Sequence, residues 1–245
     1  MTLNIFQTPD EVIDAIAQYF VETANNAITA RGKFSVALSG GSSPKKLYEL
    51  LASTTYADSI DWTKVYFFFG DERNVPQTDP ESNYLMAKNA LFIPLYIDAA
   101  NIFAVDTSLT PNEAAQKYAE QIAEFFDEDE MSFDLVLLGL GDDAHTASLF
   151  PHTEALNEVT STVLANFLPE KQIWRITMSA PMINDAKNIA FLVYGEGKAE
   201  AVHHCLEDEE NIEMYPSQLI DSITGETVWF LDEAAAANLD IDTIE

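Results

Sequence analysis

Six short segments rich in apolar and β-branched residues, at 34–38, 65–69, 135–138, 174–178, 189–194 and 227–230, alternate with longer stretches of helical periodicity. A strand that is apolar on successive residues buries both of its faces. Strands of that kind, separated by helices rather than tight hairpins, must be covered on both sides. The pattern predicts an α/β fold, three layers deep, with a mostly parallel sheet and helices on both faces.

The helical stretches carry their own start signals. Thr8-Pro9-Asp10-Glu11 is a capping box with proline in the first turn, and Val12, Ile13, Ile16, Phe20, Val21 and Ala24 follow at helical spacing as far as Gly32. A second Thr-Pro-x-Glu box at Thr110 opens a helix carrying Tyr118, Ile122, Phe125 and Phe126. Helices are also expected at 83–91, 181–187 and around Val202. Residues 74–82, 127–130 and 154–172 read as loop, acidic solvated loop and irregular chain. No repeat or linker interrupts the pattern, so residues 1–245 are expected to form one domain.

The balance of charge narrows the partners. With 12 Lys and Arg against 41 Asp and Glu, the net charge is −29, which opposes binding to nucleic acid or an anionic membrane. No apolar run approaches a membrane span, and the N-terminus lacks the basic start and apolar middle of a secretory signal. A single cysteine, Cys205, excludes an internal disulfide framework, so a cytoplasmic location is expected. Beside His203 and His204 on a helix, that cysteine reads as packing rather than as a nucleophile.

Four of the strand segments run directly into glycine-rich or charged turns. In open parallel sheets ligands bind beyond the carboxyl ends of the strands, where these turns would gather. Ser39-Gly40-Gly41-Ser42-Ser43-Pro44 can cradle phosphate on backbone N–H groups, with Ser43 as helix cap and Pro44 as first helical residue. It can also be a plain capped turn. It is not the Walker pattern, because no Gly-Lys-Ser/Thr closes it. Gly70-Asp71-Glu72-Arg73 and Gly195-Glu196-Gly197-Lys198 bring an arginine and a lysine to the same edge. Arg175 belongs to a further strand segment.

The stretch 139–145, Gly-Leu-Gly-Asp-Asp-Ala-His, sets two carboxylates before His145. An imidazole there can take a proton from water, and Asp143 can fix its tautomer. The same residue types serve as ordinary turn and cap residues. The first six residues also fit the dinucleotide fingerprint G-x-G-x-x-A, but two carboxylates would repel a pyrophosphate and Pro151 leaves little room for the long helix required. No G-x-S-x-G elbow is present for serine catalysis.

Taken in order, LSGGSSP, FFGDERNVPQTDPESNY, GLGDDAHTASLFP, RITMSAPMINDA, FLVYGEGKAEAV and WFLDEAA resemble the 6-phosphogluconolactonase family, within the wider glucosamine-6-phosphate isomerase group. The resemblance spans nearly the whole chain. It implies hydrolysis of 6-phospho-D-glucono-1,5-lactone with neither metal nor organic cofactor. His145 would be the general base, Asp143 its orienting carboxylate, and Asp71 a support for substrate hydroxyls or the water. Phosphate would lie on Gly40, Gly41 and Ser42, clamped by Arg73 and Lys198, with Arg175 a weaker candidate. A monomer or weak homodimer is expected. The family has glycine where Ala144 stands, a replacement that is mild if the local φ is negative. The rival readings are a glucosamine-6-phosphate deaminase, which usually has Asn-Glu-Pro where this chain has Ser148-Leu149-Phe150-Pro151, and a non-catalytic sugar-phosphate sensor.

Overall fold

The computed structural model describes residues 1–127 and 131–240. Its centre is a six-stranded parallel sheet of order β1-β9-β8-β5-β2-β3, comprising β1 (Thr2–Phe6), β2 (Phe34–Leu38), β3 (Val65–Phe69), β5 (Leu135–Leu138), β8 (Asn188–Val193) and β9 (Glu226–Asp232). Alternate residues of the inner strands feed two separate cores. Val36, Leu135 and Leu192 pack toward α1 (Pro9–Arg31) and α2 (Ser42–Leu51). Ala37, Val136 and Phe191 pack toward α4 (Pro111–Phe126). The expected three layers follow from this alternation.

Helix α1 forms where its box predicts. Thr8 accepts from the Glu11 N–H, the Glu11 carboxylate returns to the Thr8 N–H at 2.9 Å, and Gly32 ends the helix at φ 77°. Each fully buried apolar side chain, such as Ile16 or Phe20, contributes roughly 1.5–3 kcal/mol. Helix α4 begins with the same reciprocal cap at Thr110 and Glu113 and buries Tyr118 and Ile122.

Three strands were not legible beforehand: β1, at the sheet edge; β4 (Asp71–Arg73), read only as a charged turn; and β6 (Val163–Leu168), inside the stretch expected to be irregular. With β4 and β7 (Ile173–Met178), β6 forms a second, antiparallel sheet of order β4-β7-β6. The 174–178 segment therefore does not join the parallel sheet. The chain changes sheets at Gly70, whose N–H donates to the Leu38 carbonyl and whose carbonyl accepts from the Met178 N–H.

Smaller departures concern helix ends. The expected 83–91 helix is α3 (Asn83–Ala87), continued by one wider turn through Phe92. The 181–187 helix is α5 (Ala180–Asn184), and the last helix is α6 (Ala199–Leu206). Of the acidic loop expected at 127–130, residues 128–130 lie outside the described residues.

Two tyrosines, one on each side of the parallel sheet, fix the backbone where it leaves the strands. The Tyr48 hydroxyl donates to the Ser39 carbonyl at 2.8 Å and accepts from the Ser39 N–H at 3.0 Å. The Tyr118 hydroxyl accepts from the Phe69 N–H at 2.7 Å and donates to the Phe69 carbonyl at 3.2 Å. Burial drives both phenols far above their ordinary value, so they stay neutral and hold these bonds. The Ser39–Ser42 turn starts from the first anchor, and the Gly70-Asp71 turn starts from the second.

Candidate active site

Beyond the carboxyl edge of the parallel sheet lies a cleft of about 250 Å³. Its walls are the Ser39–Gly41 turn after β2, Asp71 and Arg73 of β4, the Gly139–Gly141 and His145–Ala147 segments after β5, and Lys198 after β8. Residues far apart in the chain thus meet at one edge. A hollow of about 170 Å³ adjoins it along Ser42, Ser43, Tyr194 and Lys198. A larger hollow between α4 and β6, about 950 Å³, holds none of the predicted site residues. Chemistry rather than size selects the small cleft.

Helix α2 starts at Ser42, so Ser43 is not its cap and Pro44 is its third residue rather than its first. Gly41, at φ 106°, occupies the cap position, a torsion that glycine adopts without strain. No side chain caps this helix end, and an anion can take the place a capping oxygen would have filled. Gly40 is required for a different reason. A Cβ there would lie 2.0 Å from the Asn83 Oδ1.

The His145 imidazole is fixed on two sides. Its ring stacks on Phe150 at 3.9 Å between centroids, and its Nδ1 bonds the Asp143 carboxylate. A carboxylate can only accept, so Nδ1 carries the proton and Nε2 the lone pair. Half-burial alone would raise the Asp143 carboxyl. The hydrogen bond and charge of His145 outweigh it and hold the group below the usual range. Gly141 leaves the space this pair needs, since a Cβ there would fall 2.0 Å from His145 Nδ1.

Asp71 and Glu72 are both buried, contrary to the ordinary behaviour of charges after a strand. Hydrogen bonds compensate. Asp71 Oδ1 accepts from Asn83 Nδ2 at 3.1 Å and Oδ2 from the Ser148 hydroxyl at 2.6 Å. Glu72 accepts the N–H groups of Arg73, Asn83 and Tyr84, each at 2.8 Å, and the Ser82 hydroxyl. Burial nevertheless leaves the Glu72 carboxyl above its ordinary value, with the N–H donors opposing. Asp71 borders the cleft, whereas Glu72 organises the loop behind it.

Both cleft cations meet acidic partners. Lys198 Nζ lies 2.5 Å from Asp142 Oδ1, and Arg73 donates to the Glu81 carbonyl at 2.7 Å with the Glu81 carboxylate 3.8 Å away. Asp142 and Glu81 are largely exposed, which makes them replaceable by a stronger anion. Arg175 pairs directly opposite Arg73 in the β4–β7 register and is not part of the cleft lining. Half-burial, then the charge of Arg73, lowers its guanidinium below the ordinary value. Ser42 borders the adjoining hollow, and Asp143 stands behind His145.

Ala144 has φ 59°, so the condition for a mild replacement of glycine is not met. Ala147, also in the cleft wall, has φ 48°. Asn83 and Ser148, which hold Asp71, were not singled out as site residues in the sequence. Their placement inside two of the quoted motifs was the available signal. Burial pushes the Cys205 thiol up to about 12, consistent with a packing role. Among the described residues no group of three His, Cys, Asp or Glu could hold a metal ion, and no helix is long and apolar enough to cross a membrane.

Fold and cleft together define an α/β protein with an uncapped glycine turn and a carboxylate-oriented imidazole at the carboxyl edge of its sheet. Residues 7–229 match the model of the family described as glucosamine-6-phosphate isomerases/6-phosphogluconolactonase, and the chain belongs to this family. It is 42% identical to a 6-phosphogluconolactonase of Nostoc sp. over 98% of this chain and 99% of that one. It is 36% identical to that of Haemophilus influenzae, covering 94% and 96% of the two chains. The solved 6-phosphogluconolactonase from Trypanosoma cruzi superposes with a TM-score of 0.87 at 29% identity, over 98% of this chain and 97% of that one.

Proposed function

We propose that this protein hydrolyses 6-phospho-D-glucono-1,5-lactone to 6-phospho-D-gluconate, the second step of the oxidative pentose phosphate pathway. The observation that carries this reading is the cleft itself. His145, oriented through Nδ1 by Asp143, shares it with Arg73, Lys198 and the Ser39–Gly41 turn. These are the groups needed to hold a sugar phosphate and activate water beside it.

The lactone carbonyl is already electrophilic, so the chemistry asks for little more than a positioned base and neutralisation of the oxyanion. His145 Nε2 takes a proton from water as the water attacks the carbonyl carbon. The protonated ring, stabilised by Asp143, returns that proton to the ring oxygen as the ester bond breaks. Positioned acid–base catalysis of this type contributes roughly 10²–10⁴-fold. The phosphate sits on the N–H groups of the Gly40–Ser42 turn, with Arg73 and Lys198 displaced from Glu81 and Asp142 toward the substrate's charges. Asp71, immobilised by Asn83 and Ser148, presents its carboxylate to substrate hydroxyls. Arg175, opposite Arg73 on the neighbouring strand, adds positive charge beside it without lining the cleft.

The chain's own residues supply every step, without metal or organic cofactor. The enzyme works in the cytoplasm as a monomer or weak homodimer, which light scattering across a concentration series would test. The decisive experiment supplies freshly generated lactone and measures acid release above the spontaneous rate, which is appreciable in water. Glucosamine 6-phosphate is offered in parallel. Turnover of the amino sugar without acceleration of lactone loss would overturn the reading. The deaminase alternative is not favoured, because Ser148-Leu149-Phe150-Pro151 lacks the glutamate of that loop and Ser148 is committed to Asp71.

A further inference from the structure

The residue before His145 is in an unfavourable conformation that something outside its own loop must maintain. Ala144 is fully buried at φ 59°, the left-handed region that an L-residue avoids by roughly 5- to 30-fold in population. Within the loop the Ala144 N–H donates to the Gly141 carbonyl at 3.1 Å, and the Gly141 N–H donates to the His145 carbonyl at 2.8 Å. The second bond spans Ala144 and depends on its left-handed torsion. Rotating Ala144 to the right-handed region would redirect the chain at His145 and withdraw its ring from Asp143 and Phe150.

The external support is Ser217. Its N–H and its hydroxyl both donate to the Ala144 carbonyl, at 3.0 and 2.8 Å. Ser217 is itself buried, on a short turn (Pro216–Leu219) lying 73 residues downstream. That turn is anchored: Asn184 Nδ2 donates to the Leu219 carbonyl at 2.8 Å, and Ile220 enters the core beneath. Two donors from a fixed element therefore converge on the one carbonyl whose direction reports the Ala144 torsion.

We propose that Ser217 is a positioning residue for His145: its hydroxyl clamps the Ala144 carbonyl, holds that residue left-handed and so keeps the imidazole in the cleft. A glycine at position 144 would adopt this torsion without help. The clamp matters because alanine stands there. The kinetic readout rests on the lactonase reading above, whereas the spectroscopic one does not.

The test is a two-by-two comparison of Ser217→Ala with Ala144→Gly, with Ser217→Thr as the variant that keeps the hydroxyl. In the Ala144 background, Ser217→Ala should lower kcat about tenfold, with KM within about twofold. In the Ala144→Gly background the same change should alter kcat less than about twofold, and Ser217→Thr should retain wild-type kcat. Without substrate, the His145 ring proton resonances should move in Ser217→Ala and return in the double variant. This readout stands even if the lactone proves to be the wrong substrate. An equal loss in both backgrounds, a loss confined to KM, or unmoved His145 resonances would each overturn the proposal. If Ser217→Ala alone does not fold, comparing Ala144→Gly with the double variant still decides, because a tenfold loss there would mean that serine acts otherwise than through this torsion.

Discussion

Ser148 donates its hydroxyl to the Asp71 carboxylate at 2.6 Å, so the histidine loop and the strand that carries Arg73 are joined by one hydrogen bond. Asp71 is buried, and removing a donor from a buried carboxylate costs about 1–3 kcal/mol. Ser148→Ala should lower kcat about tenfold and the melting temperature by roughly 2–4 °C for each kcal/mol lost. Ser148→Thr should restore much of both. Steady-state kinetics on fresh lactone and thermal melts check this, and an unchanged kcat would detach Asp71 from its proposed role.

His145→Ala should lose roughly 10²–10⁴-fold in kcat, and Asp143→Asn about 10²-fold with little change in KM. The pH dependence has a definite sign. The folded-state carboxyl of Asp143 lies below its unfolded value, so its stabilisation is fully present above the unfolded value, about pH 4, and is lost as pH falls through the folded one. Denaturant unfolding of wild type and Asp143→Asn should therefore give a difference that persists above about pH 5 and shrinks below about pH 4. A difference that disappears near pH 6 would contradict this.

The pair of Lys198 and Asp142 predicts a variant that binds better. Exposed ion pairs are worth about 0.2–1 kcal/mol, and the substrate must replace this one. Asp142→Asn should lower KM by up to about fivefold with kcat nearly unchanged. Arg73→Ala should raise KM at least about tenfold, because it removes a cation rather than a competitor. Both follow from substrate titrations at fixed ionic strength. A higher KM in Asp142→Asn would indicate that the carboxylate itself assists binding.

Glu72 accepts four donors, so its conservative amide is not conservative. Either orientation of a glutamine would point its NH2 at a backbone N–H and leave buried groups unsatisfied, at about 1–3 kcal/mol. Glu72→Gln should lower the melting temperature by several degrees and raise KM through the displaced Arg73 loop, which melts and substrate titrations would register together. Wild-type stability would show that the loop re-forms without its central acceptor.

The parallel sheet was readable because its inner strands carry unbroken apolar runs, as in Leu135–Leu138, and its long helices announce themselves with capping boxes. The antiparallel sheet was not. Strand β4 is three charged residues, of which Asp71 and Glu72 are buried through partners at Ser82, Asn83 and Ser148, and no local pattern signals that. The apolar pattern of β6 is interrupted by Asn166, which is buried and donates to the Ser148 carbonyl at 2.9 Å. The cleft residues were legible as turns at strand ends, since glycine and charge mark such turns. Arg175 lies outside the cleft lining, on a strand that belongs to the second sheet. Ser217 was invisible because its bond to Ala144 joins segments 73 residues apart.

A Cβ on Gly40 would fall 2.0 Å from Asn83 Oδ1, which ties the Gly40–Ser42 turn to Asn83. Any side chain at position 40 would push Asn83 from Asp71, and through Asp71 the disturbance would reach Ser148 and the histidine loop. Affinity for the sugar phosphate and speed of ring opening are therefore not separate dials. Altering the turn, the carboxylate or the loop alone would therefore disturb the other two, even where a single contact looks dispensable.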